Sequence, residues 1–350
     1  MNPHEIRRAY AETLRTIANL RAEAIVEAFA RVPREAFLGP PPWQVGQAQP
    51  FNPAVPFHVH AKPDAGIEDI YQDVVVVIDQ VRQINNGQPS VHARWLDAVS
   101  PQPGESVLHI GCGVGYYTSI LAELVGPSGL VVAYEIEPDL VTRAQTCLKA
   151  WPQVRAELGD GSQPGGRYDV IYVNAGATHA RKEWLSSLTE RGRILLPLTA
   201  HLPMFPGAGG VGFVICVQRG DGRWPVRVVA GVGIYDCAGA RDPMAESQLR
   251  RFVSRTQRRE FTPCRLNRTS RVTNAWSTST GSAFSRRTLS GAVCTVSTRS
   301  EASPHIRRQS RDFFTAPVGV GHIIPPPAVE RRPGQTPGAR GLAVFENTVG

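Results

Sequence analysis

The chain has 350 residues, 42% of them hydrophobic and 19% charged, with 29 prolines, 33 glycines and a formal net charge of +8. That is material for one large domain or two ordinary ones with a sizeable core, and the lack of any apolar run of 18 residues excludes a membrane-spanning helix. The basicity is local: residues 1–240 carry 20 Lys+Arg against 23 Asp+Glu, whereas 241–350 carry 18 Arg, no Lys and 7 acids, an asymmetry that marks a tail rather than a basic fold surface. Residues 1–8 are polar with no signal-peptide h-region, and the six cysteines (112, 147, 216, 237, 264 and 294) form no CxxC pair. The expectation is a cytoplasmic protein with free thiols.

Residues 4–30 read as one or two amphipathic helices, with Ile6, Tyr10, Leu14, Ile17 and Leu20 at helical spacing. Pro33 ends that pattern, and the Pro-, Gly-, Gln- and His-rich stretch 39–67 reads as an extended loop. His58 and His60 there, with His92 farther on, lack carboxylate or cysteine companions at ligand spacing, so no metal is expected. The valine run 74–77 is a short buried strand. Asn85-Asn86-Gly87 is turn chemistry and Gln88-Pro89-Ser90 can start a helix over 91–99. This stretch is either a hairpin turn with a helix cap or a polar lip over a ligand crevice.

Val107-Leu108-His109-Ile110-Gly111-Cys112-Gly113-Val114-Gly115 is an apolar strand running into three glycines at alternate positions. Ile120, Leu121, Leu124 and Val125 then continue as an apolar-periodic helix. Glycines here let the backbone turn tightly and approach a ligand, while amides at the helix start face the crevice beyond the strand. The next strand, 130–135, ends in Glu135, 20 residues past Gly115, where an acid commonly accepts hydrogen bonds from ribose hydroxyls. A helix at 139–150, a strand at 154–158 ending in Gly159-Asp160-Gly161, a strand at 168–174, a helix at 180–189 and a strand at 193–198 follow. Residues 211–217 and 226–235, joined through Gly220-Asp221-Gly222, form an antiparallel hairpin. The expected fold is α/β: a Rossmann-like, mostly parallel seven-stranded sheet with an antiparallel terminal hairpin and N-terminal helices. Its parts are an N-terminal helical and loop region at 1–95, a Rossmann-like domain at 96–240 and a low-complexity, disordered tail at 241–350.

Several motifs occur in the order seen in the protein-L-isoaspartate O-methyltransferases, a family of class I S-adenosylmethionine-dependent enzymes. These are Val32-Pro33-Arg34-Glu35-Ala36-Phe37, Tyr71-x-Asp73 with Gln88-Pro89, the glycine loop, Tyr134-Glu135-Ile136-Glu137-Pro138, Gly159-Asp160-Gly161, Tyr168-Asp169-x-Ile171, and Gly192-Arg193-Ile194-Leu195-Leu196-Pro197. Across 5–240 the chain resembles that family. The resemblance implies that Gly111, Gly113 and Gly115, with His109 just before them, hold the methionine end of S-adenosylmethionine. It implies that Glu135 binds the ribose and that Asp160 and Gly161 lie at the adenine. Asn174 and Ala175 complete the cofactor set, with Ala175 and Gly176 beside the methyl group and acceptor. It also implies a substrate loop drawn from Asn86, Gly87, Gln88 and Ser90, and isoaspartyl proteins or peptides as substrate, with a monomeric chain. Two positions depart: Gly87 stands where the family has a serine facing the substrate carboxylate, and His109 stands where it usually has an acid. The alternatives are a non-catalytic S-adenosylmethionine-binding protein and a methyltransferase for a different peptide or small molecule.

Residues 265–310 contain 17 Ser+Thr and many Arg with almost no apolar period, a composition that cannot bury a core. A nucleic-acid arm is disfavoured because the arginines cluster on no element. The abrupt lysine-free text from about 255 is what off-frame translation of a GC-rich gene would produce.

Overall fold

The computed structural model describes residues 2–46, 62–203, 209–221, 224–260 and 321–323. The chain opens with two helices, α1 (Pro3–Ala18) and α2 (Glu23–Arg31). Asn2 starts α1 with a capping box shared with Glu5, and Asn19 ends it in the left-handed region at φ 52°, which stops the helix without a proline. The short α3 (Glu35–Leu38) leads to β1 (Trp43–Gly46), β2 (Lys62–Ala65), α4 (Ile67–Ile70), β3 (Val75–Asp79) and β4 (Ile84–Asn85). These four strands pair in the order β2-β1-β3-β4. Residues 39–67 are therefore not all loop: Trp43, Val45 and Ala65 are buried, and the partner that makes β1 a strand is β3, about thirty residues away. The loop expectation for 47–61, His58 and His60 included, lies outside the described residues.

The large sheet follows from α5 (Pro89–Val99), β5 (Ser106–Ile110), α6 (Tyr116–Val125), β6 (Leu130–Glu135), α7 (Pro138–Cys147), β7 (Val154–Leu158), β8 (Tyr168–Val173), α8 (Lys182–Ser186), β9 (Leu188–Ala200), β10 (Gly209–Gln218) and β11 (Trp224–Tyr235). Its order is β11-β10-β9-β8-β5-β6-β7. Strands β5 to β9 run parallel, and β10 and β11 close the edge antiparallel. The expected seven strands are all present. An eighth, β12 (Gly321–Ile323), adds to β11. Helix α8 is shorter than the expected 180–189 because Leu188 already begins β9 beside Tyr168.

Side chains alternate across the sheet with period two. Val107, Val131 and Tyr172 face the helices of the first core, whereas Leu108, Ile110, Val132 and Ile171 face a second core around Trp184. Beyond β11 the chain forms α9 (Pro243–Glu260), so the low-complexity stretch begins later than the composition change at 241. Val253 on α9 is buried with Leu202 and Val211, and Leu249 and Phe213 pack against them. The remainder of the expected tail, Gly321–Ile323 apart, lies outside the described residues. No helix among the described residues is long and apolar enough to cross a membrane.

Candidate active site at the carboxyl ends of the parallel strands

The sheet order reverses direction at β5, where the chain crosses to β6 on one side and lies beside β8 on the other. In open α/β sheets the crevice at such a switch point receives the ligand. The glycine loop sits there. Gly111, Gly113 and Gly115 have φ of 76°, 55° and 93°, a region an L side chain enters only at a cost. A Cβ on Gly111 would stand 3.1 Å from the Asn174 carbonyl oxygen, and one on Gly115 would stand 2.9 Å from Leu148 Cδ1. Nothing lies within 4 Å of the Cβ position of Gly113. Two of the glycines therefore serve packing, and the middle one leaves room.

Glu135, at the end of β6, is 7% exposed. Its Oε2 accepts the Gly113 amide at 2.7 Å, and its Oε1 accepts the amides of Ile136 and Glu137 at 2.8 and 3.1 Å. These three N–H donors tie the glycine loop to the end of β6. Asp160 follows β7. Its Oδ1 accepts the Ser162 amide at 2.9 Å, and that backbone bond, with the nearby Arg181 charge, keeps its carboxyl below the usual range. Gly161 lies at φ 63°, and a Cβ there would press on Ile110 at 2.9 Å. Asn174 continues β8: its amide donates to the Ile110 carbonyl at 2.8 Å and its Nδ2 to the Gly111 carbonyl at 3.2 Å. Ala175 is partly buried among the second core, and the Gly176 amide donates to the Tyr235 carbonyl at 2.7 Å. The expected cofactor residues thus converge on one crevice, with one exception.

That exception is His109. It shares the Val107 face of β5 and is fully buried. Its Nδ1 lies 3.0 Å from Thr118 Oγ1, its ring meets Tyr172 edge-on at 5.2 Å, and its Nε2 has no partner. Burial lowers its pKa to about 3, so it is a neutral group inside the first core instead of a lining of the loop.

The substrate-loop residues are also held more tightly than the sequence suggests. Asn86 Oδ1 accepts from Arg34 Nη2 at 3.0 Å and from the Val76 amide at 3.1 Å. Arg34, fully buried, donates further to the carbonyls of Ile70 at 2.5 Å, Gln72 at 3.3 Å and Val74 at 2.7 Å, and its guanidinium lies 5.8 Å from the Tyr116 ring centre. Asp73 accepts from Gln88 Nε2 at 2.7 Å and from the Ser90 amide and hydroxyl at 2.8 and 2.7 Å, capping α5 with a carboxylate where the helix dipole favours one. Gln88 and Ser90 therefore spend their donors on Asp73, and Asn86 spends its oxygen on Arg34. Sequence reasoning missed both organisers. Tyr71-x-Asp73 and Val32-Pro33-Arg34 were visible as motifs, but nothing in the spacing shows that they bond to each other's loops.

The β3–β4 hairpin is bonded to both flanks of this crevice. Arg82 at its tip bonds Asp79 within the hairpin at 2.8 Å, and Glu137 and Asp139 at the start of α7 at 2.8 and 2.6 Å. On the other flank Tyr235 Oη donates to the Gln83 carbonyl and receives Asn85 Nδ2 at 3.3 Å. The hairpin is thereby strapped from β6–α7 across to the end of β11.

A family model described as protein-L-isoaspartate(D-aspartate) O-methyltransferase matches residues 60–204. Protein-L-isoaspartate O-methyltransferase 1 of Archaeoglobus fulgidus is 30% identical over 253 residues, covering 70% of this chain and 100% of the relative. Protein-L-isoaspartate O-methyltransferase 2 of the same organism is 30% identical over 203 residues, 57% of this chain and 80% of the relative. A solved protein-L-isoaspartate O-methyltransferase superposes with a TM-score of 0.55 at 22% identity, covering 72% of this chain and 69% of that one, and so shares the fold.

Proposed function

The chain belongs to the protein-L-isoaspartate O-methyltransferase family, and we propose that it methylates the free carboxylate of L-isoaspartyl residues in proteins or peptides, using S-adenosylmethionine. The observation that carries the reading is the open Cβ space at Gly113 beside a glycine loop anchored to the Glu135 carboxylate. That cradle fits a nucleoside cofactor with an amino-acid end: amides and open space at the loop, an acid at the end of β6 and a second, ionised acid at Asp160 after β7.

When bound, S-adenosylmethionine supplies a methyl group on an already activated sulfonium. The residues of this chain then have positioning to do. Gly111, Gly113 and Gly115 hold the methionine end, Glu135 offers its remaining lone pairs to the ribose hydroxyls, and Asp160 with Gly161 meets the adenine. Asn174 and Ala175 line the reacting end. Residues 86–90 border the acceptor, their loop kept rigid by Arg34 and Asp73. A substrate carboxylate has an ordinary pKa of about 4 and is ionised at neutral pH, so no general base is required. Alignment of the oxyanion with the methyl carbon supplies the acceleration. The reading places the enzyme in the cytoplasm, acting as a monomer without nucleic acid.

The test is transfer of labelled methyl from S-adenosylmethionine to a synthetic isoaspartyl peptide, with the aspartyl peptide of the same sequence as control. Base-labile label on the isoaspartyl peptide alone is the expected outcome. Cofactor binding without turnover on that peptide would instead favour the non-catalytic alternative.

A further inference from the structure

Gly87 and His92 form a pair whose chemistry the reading above leaves unused. Gly87 has φ 73°, and a Cβ built on it would stand 2.5 Å from His92 Nε2 and 3.5 Å from the Tyr117 ring. The imidazole therefore reaches the space that a side chain at 87 would fill. His92 is 4% exposed. Its ring stacks on Tyr117 at 3.5 Å with an 11° interplanar angle, and its Nδ1 lies 2.8 Å from Tyr172 Oη.

The proton on this ring can be located. Tyr172 is fully buried, and burial pushes its hydroxyl pKa well up, so it stays protonated. Among the described residues His92 Nδ1 is its one hydrogen-bond partner. A buried O–H must donate somewhere, and here it donates to Nδ1. Burial also keeps the imidazole neutral, and a neutral ring has a single N–H. That N–H is on Nε2, which has no hydrogen-bond partner among the described residues and sits beside the hydrogens of Gly87. The backbone of Gly87 is already engaged, with its amide donating to Asn85 Oδ1 at 2.9 Å and its carbonyl accepting Tyr117 Oη at 3.3 Å.

We propose that His92 Nε2–H is the donor that receives one oxygen of the acceptor carboxylate, and that Gly87 is glycine so that the imidazole can occupy the space a side chain there would fill. The donor comes from the first turn of α5, not from the loop, and Tyr172 and Tyr117 fix its tautomer and plane. An N–H held this way gives a charge-assisted bond to a carboxylate, the stronger class of hydrogen bond. The assignment rests on the isoaspartyl reading.

The experiment compares wild type, His92→Phe, His92→Gln and Tyr172→Phe with an isoaspartyl peptide, and measures S-adenosylhomocysteine affinity separately by calorimetry. His92→Phe keeps the stacked ring but loses Nε2–H. It raises the peptide KM so that kcat/KM falls about 10- to 100-fold, with cofactor affinity within twofold of wild type. His92→Gln places an amide N–H in the same space and recovers most of that loss. Tyr172→Phe, which leaves Nε2 in place, loses less than His92→Phe. A wild-type peptide KM in His92→Phe, or a His92→Gln variant as impaired as His92→Phe, overturns the assignment alone. A wild-type enzyme that binds cofactor and leaves isoaspartyl peptides untouched overturns the function and the assignment with it.

Discussion

The three loop glycines are alike in sequence and unlike in surroundings, which makes Gly113→Ala and Gly115→Ala a sharp pair. At Gly115 the backbone has φ 93°, and the new methyl would meet Leu148 Cδ1 at 2.9 Å, Leu148 Cγ at 3.1 Å and Ala144 Cβ at 3.4 Å. The strained backbone costs about 1–3 kcal/mol, and pressing a methyl into a packed helix contact costs about 1–3 kcal/mol more. At Gly113 the backbone has φ 55° with nothing within 4 Å of the Cβ. Only the left-handed conformation is charged there, about 1 kcal/mol. The two variants should therefore differ by about 3 kcal/mol in stability, or about 6–12 °C in melting temperature for a domain of this size.

Ligand affinity should run the other way. On the proposed function the cofactor approaches the backbone through the space at Gly113, so the methyl there should weaken S-adenosylhomocysteine binding tenfold or more, about 1.4 kcal/mol. Urea or thermal unfolding of the ligand-free proteins and calorimetric titration read the two quantities independently. A Gly113→Ala protein with wild-type cofactor affinity would show that the open space is not the cradle. Equal melting temperatures for the two variants would refute the packing argument at Gly115.

Other outcomes follow from the same contacts. Arg34→Lys replaces a fork serving three carbonyls and Asn86 by one ammonium that cannot reach them all. Carbonyls left buried without donors should cost about 2–4 kcal/mol, read as a lower urea midpoint, and a change under about 0.5 kcal/mol would contradict the contact set. His109 is neutral when folded, with its pKa lowered from 6.5 to about 3 by burial. The unfolded chain binds that proton first, so the group costs nothing above pH 6.5 and destabilises progressively as pH falls from 6.5 toward 3. The loss is about 2 kcal/mol by pH 5, and His109→Met should flatten that slope by about one proton in pH-dependent unfolding. Arg82→Ala removes surface pairs with Asp79, Glu137 and Asp139, which are solvent-screened and contribute little to stability. Loosening the hairpin strap should nonetheless raise the S-adenosylhomocysteine dissociation rate several-fold in stopped flow, and an unchanged rate would mean the hairpin does not gate the crevice.

What the sequence reveals depends on whether the requirement lies in the backbone or in distant partners. Gly111, Gly113, Gly115 and Glu135 are legible because a tight turn after a strand and an acid at the next strand's end are local demands with fixed spacing. The parallel strands are legible because burial on both faces makes near-continuous apolar runs. Strands β1 and β2 are not, since β1 depends on pairing with β3 across a Pro-rich stretch. Helix α9 is hidden because its stripe of Leu249 and Val253 is short against 18 arginines averaged over 241–350. Arg34 and Asp73 are visible as motif letters, but their work lies in carbonyls and amides 15 to 52 residues away, which no period or spacing encodes.

Gly87 shows how a departure from a family pattern changes meaning once neighbours are known. Read along the chain, it is a missing hydroxyl, and the natural inference is weakened substrate binding or lost catalysis. In the fold, the position has φ 73° with His92 Nε2 at 2.5 Å from any Cβ, so a serine there would strain the backbone and collide with the imidazole. Restoring the family residue by Gly87→Ser should therefore lower activity instead of raising it, with the loss appearing in peptide KM and not in cofactor affinity. In a His92→Ala background the collision is gone and only the strain of the left-handed backbone, about 1–2 kcal/mol, remains. There Gly87→Ser should restore part of the activity, because its hydroxyl can enter the space the imidazole vacates. A Gly87→Ser single variant more active than wild type would show that the serine is simply absent and that His92 does not stand in for it.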